Sequence, residues 1–307
     1  MPNRKSTVKK IREHSRNLVR ELDLVKSVYL STGYTFTQCH VLFEIHRNEA
    51  IGLMDLVNIL LIDKSNASRT LKKLVQLGLV RTSKGASDQR QKKFSLTEEG
   101  ELALKSTIDL ANVQVNEALA NLNPAEHEQV IEGMRLYANA LRKGRLQEGY
   151  TIRRIKKKDN AQVAAVIRGV MTEFAAVGEG YSIGDPEVDD MYGNYRDDDS
   201  AYYVIEFESK VVGCGGVARL KGGKKTTCEL RKMFFLPETR GRGLGRRLLL
   251  TLLDDARKFG YSQCYIETLK RMRAAVALYE KNGFERLDTA LGKTGHCGCD
   301  CHYALEL

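Results

Sequence analysis

With 307 residues, 42% of them hydrophobic, the chain is long enough for two ordinary domains and too apolar to be disordered. A formal net charge of +10 and a pI near 9.2 favour polyanionic partners, nucleic acid or a phosphate-rich cofactor; a basic surface kept only for solubility is the alternative. No apolar run approaches a membrane span and no apolar core follows the basic N-terminus, so neither a membrane nor a secreted protein is expected. A cytoplasmic protein with reduced thiols is expected.

The first half reads as helical apart from one basic loop. Val8, Ile11, Leu18, Leu22 and Val25 fall near one helical stripe. A second helix follows "GYTFT", with Thr37 as its expected N-cap. "GLMDLVNILL" makes a third, and "DKSNASRTLKKLVQLGLV" a fourth that Gly78 ends. The period then changes: "LVRTSKGASDQRQKKFSLT" predicts two strands around a basic tip. Two more helices follow, with Pro124 between them. "RKGRLQEG", Arg142–Gly149, reads as the linker, with 146–149 at its centre. Domains are thus expected at 1–145 and 150–307.

A helix followed by a basic hairpin suits DNA. Ser65, Asn66, Ser68, Arg69 and Thr70 are short donors or a guanidinium near a helix start, where base edges are read. Lys72 and Lys73 suit phosphates, while Ala67, Leu71, Leu74 and Val75 anchor the opposite face. Lys84, Arg90, Lys92 and Lys93 at the hairpin tip suit backbone or minor-groove contact. A solvated charged face is the alternative. "NASRTLKKLVQLGLV", the wing "SDQRQKKFSLT" and "LTEEG" resemble the winged helix-turn-helix MarR family over about Phe36 to Gly100, and nearly all of residues 5–145 fit. The resemblance implies a mostly α-helical domain and a homodimer held by its first and last helices, on a palindromic double-stranded DNA site. It also implies that Arg90 is the wing arginine, oriented by Asp88. Many members respond to a small ligand. His14, His40 and His46 lie near that region, though a lone histidine is more often a packed or surface residue.

The second half alternates strands and helices, the pattern of an α/β domain. A strand from Cys228 to Leu236 meets Pro237, then "RGRGLGRR", Arg240–Arg247, then an amphipathic helix. Glycines let successive backbone N–H groups face one anion, and the helix N-terminus and arginines add positive charge. A P-loop would end in Gly-Lys-Ser/Thr, and a dinucleotide fingerprint needs another glycine spacing; neither fits glycines at 241, 243 and 245. Strand, proline, turn and helix together resemble the GNAT N-acetyltransferase superfamily, over about residues 150–307.

That resemblance implies an α/β fold with a mixed sheet and acetyl-CoA as cofactor. Its pyrophosphate would lie on Arg240, Gly241, Arg242, Gly243, Leu244 and Gly245, and its pantetheine between "CELRKMFFL" and "QCYIETL" along Met233, Phe234 and Phe235. "AAVALYEKNGF" resembles the family's later helix, which makes Tyr279 the implied general acid for the leaving thiolate. Many members carry asparagine seven residues earlier, where this chain has Met272. Strand alternation puts Glu229, Arg231 and Met233 on one face. Glu229 is the candidate base through a water, and Arg231 would hold an acceptor carboxylate, with a Glu–Arg surface pair as the alternative. An amino-acid-like amine is therefore the favoured acceptor.

The acidic loop Gly184–Asp199 would attract a polyamine or lysine side chain, or be a solvated loop; solvation is the favoured reading. "TGHCGCDCHY" holds two histidines and three cysteines, but Cys297, Cys299 and Cys301 lack the paired spacing of structural zinc sites. No metal is expected, and His296 borders the acceptor site. The alternatives to a regulator that is also an acetyltransferase are a non-catalytic acyl-CoA sensor and a protein lysine acetylase recruited to DNA.

Overall fold

The structure, a computed structural model, describes residues 4–84 and 92–307. It divides into two compact units, Met1–Ile131 and Glu132–Leu307.

In the first unit, α1 (Arg4–Glu21), α2 (Phe36–Arg47), β1 (Ile51–Gly52), α3 (Leu53–Leu60) and α4 (Lys64–Gln76) precede β2 (Val80–Lys84), β3 (Lys92–Leu96) and α5 (Glu98–Leu119). The residues that start α2 differ from the expected ones. Thr35 is the N-cap, because its hydroxyl accepts from the Gln38 N–H while the Gln38 side chain accepts from the Thr35 N–H. That reciprocal pair serves two free donors at once, which Thr37 inside the helix does not. β1 is a third strand beside the hairpin, pairing Ile51 with Phe94; two residues are too few to show a period. Val41, Leu42, Ile45, Leu56, Leu71 and Leu74 bury the apolar faces of α2, α3 and α4 in one core. Val75, expected among these anchors, is 38% exposed, one position beyond the buried Leu74.

α6 (Pro124–Leu146) begins in the first unit and ends in the second. The expected linker residues 142–146 are therefore helical. Leucine, lysine and arginine are good helix formers, and one glycine costs only about 1 kcal/mol, so Gly144 does not break the helix.

The second unit contains β4 (Thr151–Arg154), α7 (Asn160–Glu173), β5 (Ala201–Phe207), β6 (Lys210–Arg219), β7 (Thr227–Phe235), α8 (Leu244–Lys258), β8 (Gln263–Thr268), α9 (Arg273–Glu280), β9 (Glu285–Leu287) and β10 (Cys301–Glu306). The sheet order is β4-β5-β6-β7-β8-β10-β9. β7 and β8 run parallel in an otherwise antiparallel sheet. On one face α8 packs Leu248, Leu249 and Leu252 against Cys228 and Leu230. On the other, α7 packs Val163, Val166 and Ile167 against Val204 and Cys214.

One irregularity positions the site. Gly216 pairs with Arg231 and Cys214 with Phe234, so Gly215 alone faces both Lys232 and Met233. This is a β-bulge. Lys232 takes a φ of +48°, and its carbonyl accepts from the buried Tyr202 hydroxyl at 3.1 Å. A β-carbon on Gly215 would come within 2.8 Å of Met233, so glycine is required opposite the bulge. The bulge also corrects the expected alternation. Glu229 lies between Cys228 and Leu230 of the α8-side core and faces α7, as does Arg231. Met233 has switched to the α8 side.

Candidate functional site

The ladder between β7 and β8 stops at the Glu229–Tyr265 pair, although the strands continue to Phe235 and Thr268. The strands part, and a cavity of about 70 Å³ opens there. It is lined from both faces of the sheet: Tyr279, Ala275 and Ile266 belong to the α8-side core, and Phe234, Leu269 and Met272 to the α7-side core.

Tyr279, on α9, is 2% exposed, and its ring packs on Phe284. Its hydroxyl makes no hydrogen bond among the described residues. Burial pushes this phenol up from its ordinary value, with the nearby Cys264 adding to the rise, so it keeps its proton. Glu229 is 4% exposed, and burial raises its carboxyl too, opposed by Arg231. Arg231 Nε donates to Glu229 Oε2 at 2.7 Å, and its Nη2 donates to the Arg219 carbonyl. The Glu–Arg pair thus forms, though inside the cavity wall rather than on the surface.

Four charged groups that sequence reasoning missed join them. Lys232, 2% exposed at its side chain, donates to Asp185 at 2.7 Å and is ion-paired with Glu187. His296 Nε2 bonds Asp185 at 3.0 Å, and its Nδ1 lies 3.6 Å from Glu267. Burial favours a neutral Glu267, but the nearby His296 and hydrogen bonds from Tyr265 and Thr294 hold its carboxyl below the usual range. Hydrogen bonds to Asp185 and then Glu267 raise His296 to about 9. The favoured solvated reading of the acidic loop is therefore corrected at its start: Asp185 and Glu187 turn inward because a buried lysine needs partners. The signal was two adjacent cations, Arg231 and Lys232, inside an apolar strand. Cys299 lines the same cavity, and burial pushes its thiol up to about 12. Among the described residues no group of metal-ligating side chains gathers.

His296 is raised, so its bridge contributes fully below about pH 6.5 and is lost as pH rises through about 9. At most this amounts to about 3 kcal/mol. The melting temperature of His296→Gln should therefore lie below wild type at pH 7, and the gap should close by pH 10. A gap unchanged between the two would rule out the charged bridge.

The glycine turn stands at the start of α8. Gly241 and Gly243 have φ of +74° and +80°, and Leu244 and Gly245 open the helix. Arg240 is occupied: it grips Glu173 with both Nη atoms at 2.6 Å and donates to the Phe235 carbonyl. Arg242 reaches only the Glu238 carbonyl and the Tyr150 ring. Arg246 donates to Asn282 and Arg247 to Gln147. These three cations have no carboxylate partner among the described residues. Unneutralised charge beside a helix N-terminus fits a phosphate group.

In the first unit, Ser68, Arg69, Lys72 and Lys73 lie exposed along one stripe of α4. Asn66 is half-buried, and Ser65 is exposed with its hydroxyl bonded to the N-cap Asp63. Thr70 is a correction: it is 9% exposed, and its hydroxyl donates to Asn66, so it packs into the lobe. Asp88 and Arg90 lie outside the described residues. His46 pairs with Glu101 at 2.9 Å, and His40 packs on Phe36.

Two family models match: Acetyltransferase (GNAT) family over residues 164–284 and MarR family over residues 32–91. The uncharacterized N-acetyltransferase YjgM of Escherichia coli is 44% identical over 157 residues, covering 51% of this chain and 94% of that protein. The IAA acetyltransferase of Azospirillum brasilense is 39% identical over 87 residues, 28% of this chain and 55% of that protein. An acetyltransferase of the GNAT family from Staphylococcus aureus aligns with a TM-score of 0.46 at 18% identity, over 51% of this chain and 98% of the other.

Proposed function

We propose a function from one premise: through its C-terminal half the chain belongs to the acetyltransferase (GNAT) family, and its N-terminal half carries a MarR-family region. The protein binds DNA as a regulator and also transfers an acetyl group from acetyl-CoA to the amine of a small molecule. The observation that carries this reading is the parting of β7 and β8, with Glu229 and Tyr279 lining one cavity from opposite faces of the sheet.

Acetyl-CoA, when bound, supplies an acetyl thioester. The N–H groups of the glycine turn and the cations Arg242, Arg246 and Arg247 would hold its pyrophosphate. The backbone of Met233, Phe234 and Phe235, past the end of the β7–β8 ladder, would run beside its pantetheine. Glu229 takes the proton of the acceptor amine, through a water. Its buried carboxyl is shifted toward neutral pH, which suits a general base. Tyr279 holds its proton until a thiolate leaves, then donates it. Arg231 keeps Nη1 without a hydrogen bond among the described residues, which suits a carboxylate on the acceptor. Of the remaining carboxylates, Glu267 lines the cavity, where it suits the amine end of an acceptor. His296 braces that carboxylate.

The N-terminal unit supports a homodimer on a palindromic operator. Val8, Ile11 and Leu18 on α1, with Ile108, Leu110 and Val113 on α5, are large apolar side chains left exposed, and a second copy would cover them. Arg69→Ala should weaken operator binding by about 1–3 kcal/mol. Unchanged affinity would count against this docking.

A second reading is an acyl-CoA sensor without turnover. The hold of Arg231 on Glu229 favours it, since a base already paired is a poorer base. A panel of amines with free-thiol readout separates the two. Thiol release with a carboxylate-bearing amine supports the enzyme; cofactor binding without release on any amine supports the sensor. Among the described residues no helix is long and apolar enough to cross a membrane.

A further inference from the structure

The end of α6 lies against the glycine turn. Gln147 Nε2 donates to the Arg242 carbonyl at 3.0 Å, and Gln147 Oε1 accepts from Arg247 Nη1 at 3.4 Å. A β-carbon on Gly243 would stand 3.1 Å from Lys143 Cδ and 3.2 Å from Gln147 Nε2. Tyr150, just beyond, carries the Arg242 guanidinium over its ring at 5.7 Å. The first residues after the helix thus touch the turn through one side chain that donates and accepts.

The charge around this contact is uncompensated. Several arginines of the same unit find carboxylates: Arg153 has Asp159 and Glu206, Arg154 has Asp255, Arg168 has Asp189, and Arg240 has Glu173. At the turn, Arg242, Arg246 and Arg247 have none, and neither does Lys143, among the described residues. Four like charges gathered without an anion repel one another, and their common solution is an anion of more than one charge.

We propose that Lys143 and Gln147 belong to the phosphate site of the cofactor, and that through them α6 links cofactor occupancy to DNA binding. This rests on reading the turn as an acetyl-CoA cradle. Lys143 supplies a cation from outside the turn. Gln147 braces the Arg242 carbonyl, so the following N–H groups stay turned toward the anion. A phosphate on Arg247 competes with the long 3.4 Å bond to Gln147, so binding shifts the end of α6. That helix begins in the DNA-binding unit, where His127 Nε2 meets the Leu119 carbonyl of α5 at 3.0 Å. Linkage then makes the effect reciprocal.

The full-length chain tests this by calorimetric titration of acetyl-CoA into wild type, Lys143→Met, Gln147→Ala, Gln147→Glu and Gly243→Asp. Lys143→Met keeps the packing and removes the charge, and should weaken binding about three- to tenfold, less at high salt. Gln147→Glu should weaken it more than Gln147→Ala, because a carboxylate then faces the phosphates. Saturating acetyl-CoA should shift wild-type operator affinity about fivefold or more, and Gln147→Ala should shrink that shift. Acetyl-CoA affinities of Lys143→Met and Gln147→Ala equal to wild type, while Gly243→Asp loses binding, would overturn this proposal and leave the cradle standing. An operator affinity indifferent to acetyl-CoA in wild type would overturn the linkage. Undiminished binding by Gly243→Asp would instead overturn the cradle reading itself.

Discussion

Gly243→Asp is expected to remove acetyl-CoA binding in calorimetric titration, by about 100-fold or more, while the chain stays folded. Two effects separate here. Gly243 has a φ of +80°, where an L-residue pays about 1–2 kcal/mol, and aspartate is among the residues that tolerate it best. Its β-carbon would meet the ends of two flexible side chains, Lys143 and Gln147, which can give way. The fold therefore loses little. The new carboxylate, however, stands at the N-terminus of α8 beside Arg242, Arg246 and Arg247. It would supply the anion these cations lack and occupy the positive end of the helix. Gly243→Ala carries at least the same strain without the charge and should still bind far better than Gly243→Asp. Equal loss in both would mean that the geometry of the turn, not its charge, decides affinity.

The motifs that could be read in the sequence are local ones. Strand, Pro237, glycine turn and helix follow one another without interruption, so their order in the chain is also their order in space. The outward stripe of α4 was legible for the same reason: Ser68, Arg69, Lys72 and Lys73 repeat at helical spacing. Thr70 was misjudged because its fate depends on what Leu71 and Leu74 pack against. The bulge at Lys232 was illegible. Strand alternation predicts Met233 beside Arg231, and only the partner strand, with Gly215 where no side chain fits, reveals the extra residue. The glycines of "GCGG" were a signal of close backbone approach, but the partner was unknown. Asp185, Glu267 and His296 come from three distant segments, and their meeting belongs to tertiary structure alone.

The two halves also differ in what buries them. In the second unit Lys232 and the carboxylates of Glu229 and Glu267 are buried, with Asp185 and Glu187 half-buried beside them, an arrangement that costs stability unless every charge is met. Lys232 is met by Asp185 and Glu187, and Glu267 by His296, Tyr265 and Thr294. Such a network ties the start of the acidic loop, at Asp185 and Glu187, to Lys232 of β7 and to His296. Among the described residues the first unit has no comparable network, and leucines, isoleucines and valines of α1 and α5 stay exposed on it.

Tyr279→Phe is expected to lower kcat about 10²- to 10⁴-fold while leaving the affinity for acetyl-CoA near wild type. The ring supplies the packing, on Phe284 and the α8-side core, and phenylalanine keeps it. The hydroxyl makes no hydrogen bond among the described residues, so its removal leaves no buried partner stranded, and stability should barely change. What disappears is the phenolic proton that Tyr279 holds at the parting of β7 and β8. A thiolate then leaves uncompensated, and the loss falls on the chemical step rather than on binding. Glu229→Gln acts at the other end of the transfer. It keeps a hydrogen-bond acceptor for Arg231 but cannot take a proton, so its defect should shrink as pH rises and the acceptor amine deprotonates by itself. Tyr279→Phe should show no such rescue, because its missing proton becomes scarcer at high pH. The two variants thus predict opposite pH responses. Matching pH responses would mean that the residues share one role, and full activity in both would assign the proton transfers to other groups in the cavity.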